Sequence, residues 1–249
     1  MNRLGLSLLA AFLWPLSATA DELLVASASN FSAPMAELVF RFEGQTDHKV
    51  EVAYGSSGRL FAQISNGAPF QIFFSADQVK PERLLASGLA VPGTRFTYAT
   101  GALVLWNADD KAVVPEPSAL RLYPELRIAI ANPRVAPYGA AALEAIESLA
   151  LSEAAAGRLV LGENIAQAYQ FVDSGNSPLG FVAKSQVFRD GRVRKGSGWE
   201  VPANLHAPIR QDAVLLTRAR DCQPCQQFLA FVQQPEQQAL LAGWGYRFD

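Results

Sequence analysis

Four short stretches of this 249-residue sequence combine hydroxyl, amide and glycine residues where apolar runs give way to amphipathic ones. They are Ser29-Asn30-Phe31-Ser32, Gly55-Ser56-Ser57-Gly58, Pro137-Tyr138-Gly139 and Glu163-Asn164-Ile165. Each reads as the junction between a strand and a helix. A helix start exposes peptide N–H groups without intrahelical acceptors, together with the positive end of the helix dipole, and so suits a negative ligand. Taken singly, each stretch is an ordinary helix start, because Ser and Asn are favoured N-caps. Four of them shared between two facing lobes would aim neutral donors at one cleft. Charge-assisted hydrogen bonds from hydroxyls and N–H groups stabilise an oxyanion by about 1.5–3 kcal/mol each. About five to seven of them, after desolvation and ordering, leave about 8–12 kcal/mol, a micromolar to nanomolar site. Such a site needs no Arg or Lys; Arg59, the nearest cation, reads equally well as a solvated helix residue.

Catalytic patterns are weaker. Gly55-Ser56-Ser57-Gly58 is followed by Arg59 and is not the G-x-S-x-G of a nucleophile elbow. His48 and His206 are the only histidines, and neither has an acidic partner at recognisable spacing. There is no phosphate-binding P-loop and no G-x-G-x-x-G after a strand, so no nucleotide cofactor is expected. The only cysteines, Cys222 and Cys225, form a Cys-Gln-Pro-Cys near the chain end. They read as a local structural disulfide or an inert thiol pair, since a thioredoxin-like redox site belongs near the first strand and helix. No histidine has the spacing to complete a metal site with them. Asn30-Phe31-Ser32 matches the glycosylation sequon, but only weakly.

The elements that must hold these junctions follow from periodicity. Residues 23–29, 50–55 and 70–76 read as strands, and 32–45 and 57–67 as helices, giving a β-α-β-α-β unit whose wholly apolar strands imply a sheet covered on both faces. A second unit reads as strand 127–133, helix 138–151, strand 158–162, helix 164–175 and strand 179–185. Long extended runs at 94–107 and 209–217 bracket it and suit two crossings between lobes, with a helix pair to Gly243 returning to the first lobe. The expected division is residues 21–98 plus 205–249 in one lobe and 99–204 in the other.

Hydrophobic content of 50% with 18% charged residues is too apolar for a disordered chain. A net charge of −2 offers no field for phosphate backbones, so nucleic acid is not an expected partner. Residues 1–20 combine a charged start, an apolar run from Leu4 to Leu16 and a small-residue cleavage pattern ending at Ala20. They read as a secretory signal peptide, and nothing later is long and apolar enough to span a bilayer.

At these residues the sequence resembles the periplasmic molybdate-binding proteins of bacterial ABC importers. The resemblance covers essentially the whole mature chain, through SASNF, YGSSGRLFAQISNGAPFQIFFSAD, FTYATGALVLWN, IANPRVAPYGAAALEA, GENIAQA and SPLGFVA. It implies the α/β fold of a type II periplasmic binding protein, two doubly wound lobes joined by two crossover strands and closing on molybdate or tungstate. The implied ligands are the Ser29 hydroxyl, the Asn30 N–H, the Ser57 hydroxyl and N–H, and the N–H groups of Tyr138 and Ile165. Ser56 is not among them. Some members also supply a tyrosine hydroxyl where this sequence has Ala183. The implied protein is a periplasmic monomer that is not an enzyme, uses no cofactor and delivers its anion to a membrane permease. The same fold binding sulfate or phosphate is the alternative, and a secreted serine hydrolase a remote one.

Overall fold

The computed structural model describes residues 22–109 and 114–248; the segment read as a signal peptide lies outside them. The chain begins with β1 (Glu22–Ala28), α1 (Ser32–Glu43), β2 (Lys49–Gly55), α2 (Ser57–Ser65), β3 (Ile72–Phe74), α3 (Val79–Ala86) and β4 (Phe96–Gly101). It continues through β5 (Leu103–Asn107), α4 (Ala119–Leu122), β6 (Ile128–Ala131), α5 (Pro137–Ser148), α6 (Ser152–Ala155), β7 (Leu159–Gly162), α7 (Ile165–Asp173) and β8 (Leu179–Ala183). After α8 (Lys184–Val187), β9 (Phe188–Arg189), β10 (Arg192–Val193) and β11 (Ser197–Glu200), it closes with β12 (Ile209–Leu215), α9 (Gln223–Val232) and α10 (Pro235–Gly243). These elements form two lobes, one on the sheet β2-β1-β3-β12-β4 and one on the sheet β11-β5-β8-β6-β7.

Each sheet is covered on both faces, which is why its interior strands are largely apolar. Alternate residues of β1 point opposite ways. Leu23 and Val25 meet Met35, Leu38 and Phe42 of α1 and Phe228 of α9, whereas Ala26 packs with Leu60 and Ile64 of α2. In the second lobe Ile128 and Ile130 face Ala141, Ala142, Ala145 and Ile146 of α5, while Ala129 shares the other face with Val172 of α7. The alanines let α5 approach closely, and at Gly139 any Cβ would lie 2.1 Å from the Ala131 carbonyl oxygen. That glycine holds the start of α5 against the end of β6.

Register brings the junctions together. β1 runs parallel to β2 with Ala28 opposite Gly55, so the chain leaves both strands at one edge, into Ser29 and into Ser56. In the second sheet β6 runs parallel to β7 with Ala131 opposite Gly162, which aligns the starts of α5 and α7 in the same way. These are the carboxyl ends of parallel strands, where open α/β sheets bind ligands.

The extended run at 94–107 is two strands in different sheets, parted at Ala102. The return passes through residues 201–208, including a 3₁₀ turn at Ala203–Leu205. Seven elements escape the periodicity: α3, where Pro81 sits in the first turn and is tolerated there, and the short α4, α6, α8, β9, β10 and β11, with α8 beginning at Lys184 inside the run read as a strand to 185. Cys222 and Cys225 form a disulfide at the start of α9, as one of the two readings of that pair expects. Among the described residues no helix is long and apolar enough to cross a membrane.

Candidate oxyanion site

All four junctions line one small cavity between the lobes. Its walls are Ala28, Ser29, Asn30, Gly55, Ser56, Ser57 and Ala76 from the first lobe, with Ala136, Pro137, Tyr138 and Ile165 from the second. The five residues singled out as ligands are therefore together, each at most 4% exposed. No charged side chain lines the cavity. Its volume of about 10 Å³ is close to the minimum that holds one water molecule, so the walls sit tightly around any occupant.

At α2, α5 and α7 local structure leaves the first available peptide N–H without a partner among the described residues. At α7 the Asn164 Oδ1 accepts from the N–H groups of Ala166 (2.9 Å) and Gln167 (3.1 Å), so the cap satisfies the second and third positions and leaves the first, Ile165. At α5 the first position is Pro137, which has no N–H, and the first available donor is that of Tyr138. At α2 the Gly58 N–H donates to the Val135 carbonyl (2.9 Å), leaving Ser57. The Ser57 Oγ accepts from the Ala76 N–H at 2.8 Å, which commits its own hydrogen to point elsewhere, toward whatever occupies the cavity.

Asn30 is fixed from beneath by groups that sequence reasoning missed. Its Nδ2 donates to Gln211 Oε1 (2.8 Å) and to the Tyr246 hydroxyl (2.9 Å). Its carbonyl accepts from Ser185 Oγ (2.7 Å) and the Tyr246 hydroxyl (3.1 Å). Gln211 extends the network, accepting from the Tyr98 hydroxyl (2.8 Å) and donating to the Tyr138 hydroxyl (3.1 Å). Ser185 and Tyr138 belong to the second lobe, so the network spans the crossing. Burial raises all three tyrosines well above the ordinary value and keeps them neutral hydrogen-bonding groups. Phe31 anchors the turn, packed against Tyr98 (4.7 Å), Tyr246 (5.5 Å) and Phe74 (6.0 Å). A signal for Gln211 exists in the sequence, since Arg210-Gln211-Asp212 places three polar residues in a row near the start of a strand that ends in an apolar run. Tyr246 has none, because its partners are remote in the chain.

The lobes are shut against each other. Besides Gly58 and Val135, Arg59 pairs with Glu163 at 2.7 Å across the rim, both exposed. Arg59 therefore faces a carboxylate rather than the cavity. On another side Glu37 of α1 accepts from Arg189 (2.9 Å), whose guanidinium lies 4.1 Å over the Trp244 ring, and from Trp244 Nε1 (3.2 Å). Burial opposes the charge on Glu37, but Arg189, helped by the hydrogen bonds from Trp244 and Arg41, outweighs it and lowers the pKa below the ordinary glutamate value. Ala183 does not line the cavity; it precedes α8, and its N–H donates to Gln186 Oε1 (2.9 Å). A larger open groove of about 370 Å³ shares Ala76, Ala136 and Pro137 with the cavity, but its charges are of both signs, from Asp77, Lys80, Arg134, Glu144 and Arg210. Asn30 is 2% exposed and unsuited to carry a glycan.

Comparison with known proteins agrees with this geometry. Residues 23–247 match the family model described as bacterial extracellular solute-binding protein. The molybdate-binding protein ModA of Azotobacter vinelandii is 46% identical over 243 residues, covering 98% of this chain and 94% of the relative. That of Rhodobacter capsulatus is 44% identical over 232 residues, covering 93% and 90%. Among solved structures, the Azotobacter vinelandii periplasmic molybdate-binding protein superposes with a TM-score of 0.87 at 39% identity, over 91% of this chain and 99% of that one. The chain belongs to the bacterial extracellular solute-binding proteins and, within them, to the molybdate-binding protein family.

Proposed function

We propose that the protein is an extracytoplasmic receptor that captures molybdate, and tungstate with it, and hands the anion to a membrane permease of an ABC importer. One observation carries this reading: helix starts from both lobes converge on a compact, uncharged cavity lined by donors. The proposed ligands are the hydroxyls of Ser29 and Ser57 and the N–H groups of Asn30, Ser57, Tyr138 and Ile165. Neutral donors suit a dianion with acceptors at every corner, and the names of the relatives supply its identity. The proposed compartment is the periplasm, reached through the signal peptide at residues 1–20. The proposed role is that of a carrier, supported by a cavity lining that brings no imidazole or carboxylate beside Ser57 to take its proton.

A second reading, phosphate, has one observation in its favour. Asn30 Oδ1 is buried with no partner among the described residues, and an acceptor there would suit an anion that keeps a proton. Glu163, the only carboxylate at the four junctions, is turned to Arg59 instead. Isothermal titration of residues 21–249 with molybdate, tungstate, sulfate and phosphate in one buffer decides. Tight one-to-one binding of the first two, with the others at least about a hundredfold weaker, is expected. Phosphate binding tightest would replace the reading with the second.

A further inference from the structure

Ser56 sits at the N-cap of α2, a position where Ser accepts a hydrogen bond from the helix start. It does not do so here. Its side chain makes no cap hydrogen bond, while its carbonyl accepts from the Leu60 N–H at 3.0 Å in the normal helical manner. The residue is 4% exposed, its Oγ is buried with no partner among the described residues, and it lines the cavity between Gly55 and Ser57. A buried hydroxyl without a partner is unfavourable, and few such groups persist in folded proteins without a reason. The neighbouring helix starts show what satisfied groups look like: Asn164 caps its helix and Ser57 Oγ accepts from Ala76.

We propose that the Ser56 hydroxyl is a further anion-binding donor, left unpaired by the chain's own groups and satisfied by the bound oxyanion. The inference rests on the oxyanion reading of the cavity and adds to it a residue outside the ligand set given above. The chemistry is complementary. A fully deprotonated tetrahedral oxyanion presents only acceptors, and a hydroxyl with no other acceptor in reach turns its hydrogen to it. Ser56 and Ser57 then contribute side-chain donors from consecutive positions, one before and one within the first turn of α2, bracketing the N–H of Ser57. Ser57 is oriented by Ala76, whereas Ser56 is free to rotate and follows the ligand.

The test is a pair of measurements on Ser56→Ala and Ser56→Gly, the second retaining a favoured N-cap residue. Both are made beside the wild type, with molybdate, tungstate, sulfate and phosphate. For a ligand-binding hydroxyl, the dissociation constant of the anion that wild type binds rises about tenfold in both variants. The melting temperature without ligand stays equal or rises, because an unsatisfied buried group has been removed. A dissociation constant within twofold of wild type overturns the proposal, and so does weaker binding accompanied by a lower ligand-free melting temperature, the mark of a merely structural serine. Wild-type protein that binds none of the four anions defeats the oxyanion reading and this proposal together. Tight wild-type binding with unaltered variants defeats this proposal alone.

Discussion

At the scale of single residues, the candidate site is an accounting of donors. Pro137 lacks an N–H, Asn164 satisfies two, Gly58 gives its own to Val135, and what is left over faces the cavity. Ser57 is the most constrained of the hydroxyls, because the Ala76 N–H occupies one lone pair at 2.8 Å. Ser57→Ala should therefore weaken molybdate binding by at least tenfold, about 1.5 kcal/mol, in an isothermal titration. An unchanged dissociation constant would remove Ser57 from the ligand set. Gln211 should act at one remove. Gln211→Leu takes away the acceptor for Asn30 Nδ2 and the donor to Tyr138, strands buried polar groups and should lower the melting temperature as well as the affinity. Equal stability in a thermal melt would show that the network does not hold the turn.

At the scale of elements, the register of parallel strands does most of the positioning. Ala28 opposite Gly55 and Ala131 opposite Gly162 set two helix starts side by side in each lobe. The sequence makes the apolar strands, the capped helices and the glycine-serine turns visible, because each is a local pattern with a local cause. The five proposed ligands follow from the resemblance of these turns to those of a family, not from periodicity. Asn30's partners were not visible: Gln211, Ser185 and Tyr246 lie 155 or more positions away, and pairing at that range has no periodicity. The sequence does not single out Ser56, because a serine at an N-cap is ordinary until its missing hydrogen bond is seen. Gly58 shows how an element meets its counterpart. A Cβ there would lie 2.9 Å from the Val135 oxygen and 3.0 Å from its Cα, atoms of the other lobe. Gly58→Ala should thus weaken binding by tenfold or more, the overlap costing about 1–3 kcal/mol in the closed form only. The ligand-free melting temperature should hold or rise, since Ala is the better helix former. A loss of stability without ligand would place the clash inside one lobe.

At the scale of the molecule, donors split between lobes make ligand binding and closure one event. An anion that touches both lobes favours the closed arrangement by its differential affinity for it, and a permease can then read closure as occupancy. Small-angle scattering should show a smaller radius of gyration when molybdate is added, and no change would separate binding from closure. The Glu37–Arg189 contact makes the interface acid-sensitive. A glutamate whose folded pKa lies below the ordinary 4.5 stabilises the fold fully above that value and loses its contribution as pH falls through the lowered one. Glu37→Gln should flatten melting temperature against pH below about 4.5, and an unchanged profile would assign the acid sensitivity elsewhere.

The most direct test of an oxyanion held between the lobes by neutral donors is a diffraction experiment on crystals grown with molybdate, at a wavelength where molybdenum scatters anomalously. A single peak should lie between Ser29, Ser57, Tyr138 and Ile165, with oxygens about 2.7–3.1 Å from their donors. A peak in the larger groove beside Arg134 and Arg210, or none in protein that is saturated in solution, would contradict it.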